Sequence, residues 1–262
     1  MKVLKGGGMK VSVSKNKKEK VVVLSDWHVP FEDKKIIELE LSFCKEEQPD
    51  IIIFHELHDF YPISSFEKNP ERLDDLQREI DLVNVYLERF RKACPKSRFI
   101  LLDSNHLDRL RKFIWKMAPA FNGVRALKIQ NLLELSKFKV EFKKEFMYHS
   151  VLFKHGNIVR KFSSYTAKGE WEKEGTSGCS GHTHRLGIFF HTDRSGSHVW
   201  VETGCGCQLD AEYINGIANW QHGFAVFGFD KSGHFYPTVV PIVNYRIDWG
   251  NKTFTVDAKK ST

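Results

Sequence analysis

Three short apolar runs organise the first part of this chain: VVVL at 21–24, IIIF at 51–54 and FILL at 99–102. Each is too short for a buried helix and too uniformly apolar for a half-exposed strand, so each reads as a strand covered on both faces. The stretches between them have helical periodicity. From about Lys34 to Glu47, Ile36, Leu39 and Phe43 share a face, with Ile37, Leu41 and Cys44 beside it. Further on, Leu73, Leu76, Ile80, Val83, Leu87 and Phe90 recur at three- and four-residue steps. That helix is predicted to start with Asn69 as N-cap and Pro70 as first residue, and to stop at Pro95. Strands separated by helices imply βαβ units and a largely parallel sheet.

From about Phe138 the texture changes to short strand-like runs: VLFKH, LGIFFHT, HVWVETG, GFAVFGFD and HFYPTVVPIV. One short helix is predicted near Ser164 to Lys173. Strand-rich sequence with tight turns implies a second sheet, mainly antiparallel. The expected fold class is therefore α/β, with two packed mixed sheets flanked by helices. The expected division is an N-terminal extension over 1–19, a single domain over 20–247 and a C-terminal tail over 248–262.

No apolar run approaches the ~18 residues of a membrane span, and MKVLKGGGMK lacks the apolar centre of a secretory signal. The five cysteines (Cys44, Cys94, Cys179, Cys205 and Cys207) suggest no disulfide framework, so a cytoplasmic protein is expected. GCGC at 204–207 reads as two small thiols in a Gly-rich turn rather than half of a zinc site. The net charge of +7 is compatible with a polyanionic partner, although lysine-rich ends, including Lys259 and Lys260, hold part of it.

The polar residues just after each strand carry the chemistry. Asp26 and His28 come after the first run. Glu56 comes after the second, with His58 and Asp59 close behind. Asn105 and His106 come after the third, His155 ends VLFKH, and His182 and His184 stand in SGHTHR. Singly, such residues are ordinary turn formers or polar loop residues. Together, carboxylates, imidazoles and an amide oxygen at the carboxyl edge of a parallel sheet form a donor set for divalent metals.

The ordered motifs Asp-x-His, a carboxylate pair, Asn-His, His-Gly and Gly-His-x-His resemble the calcineurin-like metallophosphoesterase superfamily, in particular its phage- and prophage-type members. The resemblance implies an αββα sandwich and two divalent metal ions, with manganese expected first and iron, zinc, nickel or magnesium as alternatives. By the same resemblance Asp26, His28 and His184 would bind one metal and Asn105, His155 and His182 the other, with Glu56 bridging. Asp59 would support the ligands from behind. A hydroxide between the metals would attack phosphorus while His106 assists the leaving group. By position alone, Arg109 on the helix after His106 and Arg185 directly after His184 are candidates to contact substrate phosphate.

Two motifs depart from the family pattern. HELHD puts His55 where the family has Gly and Glu56 where it has Asp, and SNHL ends in Leu107 instead of an acid. The implied activity is hydrolysis of phosphate esters, with phosphodiesters of nucleic acid or nucleotides expected as substrates. The usual Asp-Arg-Gly of protein phosphatases reads Asp59-Phe60-Tyr61 here. The alternative is a nucleic-acid-binding or scaffold protein with a weakened site. No membrane partner is expected. Loop aromatics Tyr61, Phe66, Phe121, Tyr213 and Trp220 either line a substrate cleft or pack their own loops.

Overall fold

The structure, a computed structural model, describes residues 18–72, 75–211, 214 and 216–256. Most of the expected N-terminal extension, Leu73 of the predicted helix face, Tyr213, Lys259 and Lys260 lie outside the described residues.

The amino-terminal part alternates as its periodicity predicts. Strand β1 (Glu19–Ser25) leads to α1 (Lys34–Glu47), then β2 (Ile51–His55), α2 (Leu76–Ala93), β3 (Arg98–Leu102) and α3 (Leu107–Met117). α1 starts where the Asp33 side chain accepts the backbone N–H groups of Lys35 and Ile36, and ends at left-handed Gln48. α2 begins six residues later than the Asn69 prediction. Asn69 instead closes a local turn by accepting from the Glu71 N–H at 3.0 Å. Asp75 is the N-cap, accepting from the Arg78 N–H at 2.7 Å.

The chain continues through a single-turn α4 (Ile129–Leu132), β4 (Val140–Lys143), β5 (Phe146–Tyr148), β6 (Val151–Phe153) and α5 (Tyr165–Glu174). It then forms β7 (Ser177–Ser180), β8 (Leu186–Asp193), β9 (Gly196–Thr203), β10 (Gly223–Phe229), β11 (Phe235–Pro241), β12 (Arg246–Trp249) and β13 (Lys252–Thr255). Two mixed sheets result. The first has the order β11-β10-β1-β2-β3-β4, parallel from β1 to β4; the second has the order β5-β6-β7-β9-β8.

Two features differ from the sequence reading. β10 and β11 join the first sheet, antiparallel to β1. β10 is apolar on both faces, with Phe224 and Val226 toward the helices and Ala225, Phe227 and Phe229 toward the other sheet, so it suits the interior of a covered sheet. In the second sheet β6, β7 and β9 run parallel, so it is less antiparallel than expected. β7 is an added strand, since SGCS has no strand signature. Its Gly178 lets Trp200 lie against the backbone, where a Cβ would come within 2.4 Å of the indole.

The layers are helices, sheet, sheet, helix. Val22, Leu24, Ile52, Phe54, Phe99 and Leu101 pack one face of the first sheet against α1, α2 and α3. The opposite residues, Val21, Val23, Ile53 and Ile100, meet Phe153, Cys179 and Val201 between the sheets. α5 covers the far side through Ala167, packed with Leu152 and Trp200. Residues 252–255, expected within the tail, form β13, and Phe254 packs on Phe43 of α1 with ring centroids 5.6 Å apart. No helix among the described residues is long and apolar enough to cross a membrane.

Candidate metal centre

The strand ends of both sheets meet along one edge, and their backbone there is strained. Asp26, His28, Glu56, His182 and His184 all have positive φ, between 50° and 70°. Each such conformation costs a non-glycine residue about 1 kcal/mol, so the surrounding structure must enforce it. Backbone bonds do so. The Asp26 and Trp27 N–H groups donate to His55 O and Glu56 O, both at 3.0 Å, and the Gly181 N–H donates to His155 O at 3.1 Å. The buried Asp26 carboxylate accepts the His182 N–H at 3.1 Å, joining the second sheet to the first.

Two donor groups form at this edge. In the first, Asp26 Oδ1 lies 3.6 Å from His28 Nε2 and 3.4 Å from His184 Nε2, and the two imidazole nitrogens are 2.9 Å apart. In the second, His155 Nε2 lies 2.5 Å from Glu56 Oε2 and 2.7 Å from Asn105 Oδ1, with His182 alongside. Two ligand atoms each about 2.1 Å from one ion, at right angles, stand roughly 3 Å apart, so these separations fit a common ion. Imidazole nitrogens, carboxylate oxygens and an amide oxygen converge on each point, and these are the donor types a divalent ion takes once it displaces the imidazole protons. The donor chemistry therefore suits divalent metal ions. All seven residues assigned to metals lie in these two groups. Glu56 stands in the second group through Oε2, and its other oxygen accepts the His106 N–H at 2.9 Å.

His106 sits beside both groups. Its Nδ1 is 3.2 Å from Asp59 Oδ2, which is also 3.2 Å from His28 Nδ1. Its Nε2 is 2.9 Å from Arg109 Nη2, and the guanidinium can only donate, so Nε2 is an acceptor. Arg109 also donates to the Asp59 backbone oxygen at 2.7 Å. Arg185 is tied back as well, donating to Asn219 O at 3.1 Å and to Arg160 O. Both arginines assigned to substrate phosphate are thus engaged by protein acceptors. A cleft of about 840 Å³ opens over the centre, walled by Tyr61, Phe66, Lys68 and Trp220.

The histidines divide by their neighbours. Burial opposes the His28 imidazolium, but Asp26 and Asp59 outweigh it and raise its pKa to about 10. Burial and the nearby His155 push His182 down to about 4. Burial lowers His106 despite Glu56 and Asp59, consistent with an accepting Nε2. Glu56 and Asp59 are held well below the usual carboxylate range because the surrounding histidines overcome the cost of burial.

Neighbouring residues support the centre. Gly181 is required by space, since a Cβ there would fall 2.3 Å from Asp26 Oδ2. His184 Nδ1 faces Cys207 Sγ at 3.6 Å, with Cys205 in the same buried group. The GCGC turn therefore backs a ligand histidine, a contact that no spacing in the sequence announces. His55 places Nδ1 3.4 Å from His155 Nδ1. His58 is buried with no hydrogen-bond partner for either nitrogen, packed edge-on to Phe60 at 4.3 Å.

No protein-family model matches the chain. Among solved structures it overlaps Vacuolar Protein Sorting 29 from Cryptosporidium parvum at 11% identity and a TM-score of 0.47, covering 92% of this chain and 100% of that one. It also overlaps YfcE, a phosphoesterase from E. coli, at 9% identity and a TM-score of 0.34, covering 84% and 98%. Both overlaps are too loose to speak to chemistry. Among curated proteins, the Gene 54 protein of Mycobacterium phage L5 is 29% identical over 255 residues, covering 91% of this chain and 99% of that one. The Gene 54 protein of Mycobacterium phage D29 is 30% identical over 244 residues, covering 87% of this chain and 95% of that one. The chain belongs to the family of these mycobacteriophage Gene 54 proteins.

Proposed function

We propose that this chain is a metal-dependent phosphoesterase of the calcineurin-like superfamily, holding two divalent ions and acting on phosphodiesters of nucleic acid or nucleotides. The observation that carries this reading is the pair of abutting donor groups, Asp26–His28–His184 and Glu56–Asn105–His155–His182, on one edge of the paired sheets. When bound, two such ions would supply positive charge to clamp a phosphate and to acidify a water. Asp26 and Glu56 bring the negative charge that offsets the ions, and the neutral His182 keeps a lone pair free near pH 7. His106 lies between Asp59 and Arg109 and borders the cleft where a leaving oxygen would depart; it would assist that oxygen as the imidazolium, with Nε2 released from Arg109.

One observation favours a second reading, a nucleic-acid-binding protein with a weakened site. Glu56 Oε1 accepts the His106 N–H, whereas a bridging carboxylate turns both oxygens to the ions. Metal analysis of the purified protein, combined with hydrolysis of bis(p-nitrophenyl) phosphate in added manganese, separates the two. The first reading expects two bound ions and turnover that His155→Ala and His182→Ala nearly abolish. Two bound ions with no turnover on any ester would sink it.

A further inference from the structure

α3 leaves the metal centre directly after His106, and its outer side is unlike an ordinary solvated face. Apart from Arg109, which is committed to Asp59 and His106, residues 107–128 hold five basic side chains (Arg111, Lys112, Lys116, Arg125 and Lys128) against one acid, Asp108, which pairs with Arg111 and Lys112. Large apolar side chains stand exposed among them: Trp115 at 55%, Met117 at 64% and Phe121 at 55%. The helix already buries Leu107, Leu110 and Ile114 on its inner side, so these outer groups are not needed for the core. Exposed apolar groups gathered in one place mark an interaction surface.

The chemistry of the patch selects its partner. The core of a protein–protein interface is depleted of charge, whereas here cations are interleaved with the rings. Trp115 is held in place, its indole N–H donating to Asn122 Oδ1 at 2.8 Å, and the Arg111 guanidinium lies 5.4 Å from its ring centre. A fixed ring beside cations is what a base stacked on a phosphate backbone requires, and only unpaired bases offer their faces. We propose that the outer face of α3 and the turn after it bind single-stranded nucleic acid and lead the strand to the metal centre. At about 1.5 Å per residue, Trp115 stands roughly 14 Å along the helix from His106. The inference rests on the phosphodiester reading only for where the strand leads; binding itself stands apart from it.

The experiment measures fluorescence anisotropy of the full chain with a labelled, phosphorothioate-linked oligothymidylate of about twelve nucleotides, across a salt series. The unaltered protein is expected to prefer this strand to the same length of duplex. Trp115→Ala with Phe121→Ala should weaken binding by roughly 5- to 100-fold, while Trp115→Phe keeps most of it. Lys112→Gln with Lys116→Gln should lower the slope of log affinity against log salt by about 1.4, at ~0.7 for each phosphate no longer neutralised. Every variant should hydrolyse bis(p-nitrophenyl) phosphate at the unaltered rate. Loss of that hydrolysis in all proteins, with strand binding intact, would refute the enzyme reading and leave this one standing. Absent strand binding, or binding indifferent to the aromatic pair, overturns it. So does a dimer of the unaltered chain that Trp115→Ala converts to monomer, because the patch would then serve a second copy.

Discussion

Asn105 and His106 are adjacent in sequence and face different work. Asn105 Oδ1 shares His155 Nε2 with the second donor group, whereas His106 accepts from Arg109 at Nε2 and has Nδ1 3.2 Å from Asp59 Oδ2. Asn105→Ala should therefore weaken metal binding and recover partly in excess manganese. His106→Ala should keep both ions while kcat on poor leaving groups falls by roughly 10²–10⁴, and by much less on p-nitrophenyl esters. Equal metal loss in the two variants, measured by elemental analysis, would contradict the division. His58 supports a second test. Burial holds it neutral in the folded chain to about pH 3, while the unfolded chain protonates it near pH 6.5. The unfolded state then binds the extra proton, so stability is full above about pH 6.5 and declines as pH falls toward 3. At pH 5 this amounts to roughly 2 kcal/mol. His58→Phe should flatten that part of the acid limb in urea titrations at pH 7.5 and 5, leaving the share of His55, which is also pushed down to about 3. An unchanged difference between the two pH values would show that His58 does not carry it.

At the scale of elements, the centre depends on how closely the loop after β7 approaches the end of β1. Gly181 sits in that gap with Asp26 on one side and His55 on the other. Gly181→Ala should force the two strand ends apart, lowering metal affinity at least tenfold, a shift of about 1.4 kcal/mol. Calorimetric titration with manganese would measure it, and unaltered affinity would show the gap to be slack. Helix placement has different roots. α1 is legible to the residue because its cap, its apolar face and its end are local. The start of α2 is ambiguous in sequence because Asn69 and Asp75 are both competent caps. The choice depends on a turn in which Tyr61 Oη accepts the Asn69 N–H at 2.8 Å.

For the whole molecule, the two sheets divide the donors. Asp26, His28, Glu56 and Asn105 come after strands of the first sheet, and His155, His182 and His184 come after strands of the second. Bound ions would therefore tie the sheets together and stabilise only the folded chain. At a hundredfold excess over Kd the gain is about 2.7 kcal/mol, or roughly 5–10 °C in Tm for a domain of this size. Scanning calorimetry with manganese and then with EDTA should show that rise and its reversal, and His155→Ala should blunt it. A Tm indifferent to every divalent ion would mean that the donor groups hold none.

The alternation of strands and helices in the amino-terminal part, and the residues at each strand end, are legible in the chain alone. Both are written in local periodicity and in abrupt changes from apolar to polar. The donor types available at those ends are legible in the same way. Tertiary structure decided everything that depends on approach across the fold: β10 and β11 joining the first sheet, Gly178 and Gly181 making room for Trp200 and Asp26, Cys207 behind His184, and Arg109 committed to Asp59 and His106. Side chains so far apart in the chain meet because strand order and sheet packing bring their ends to one edge. Strand order is set by burial on both faces of the whole sheet, which no short window of sequence contains.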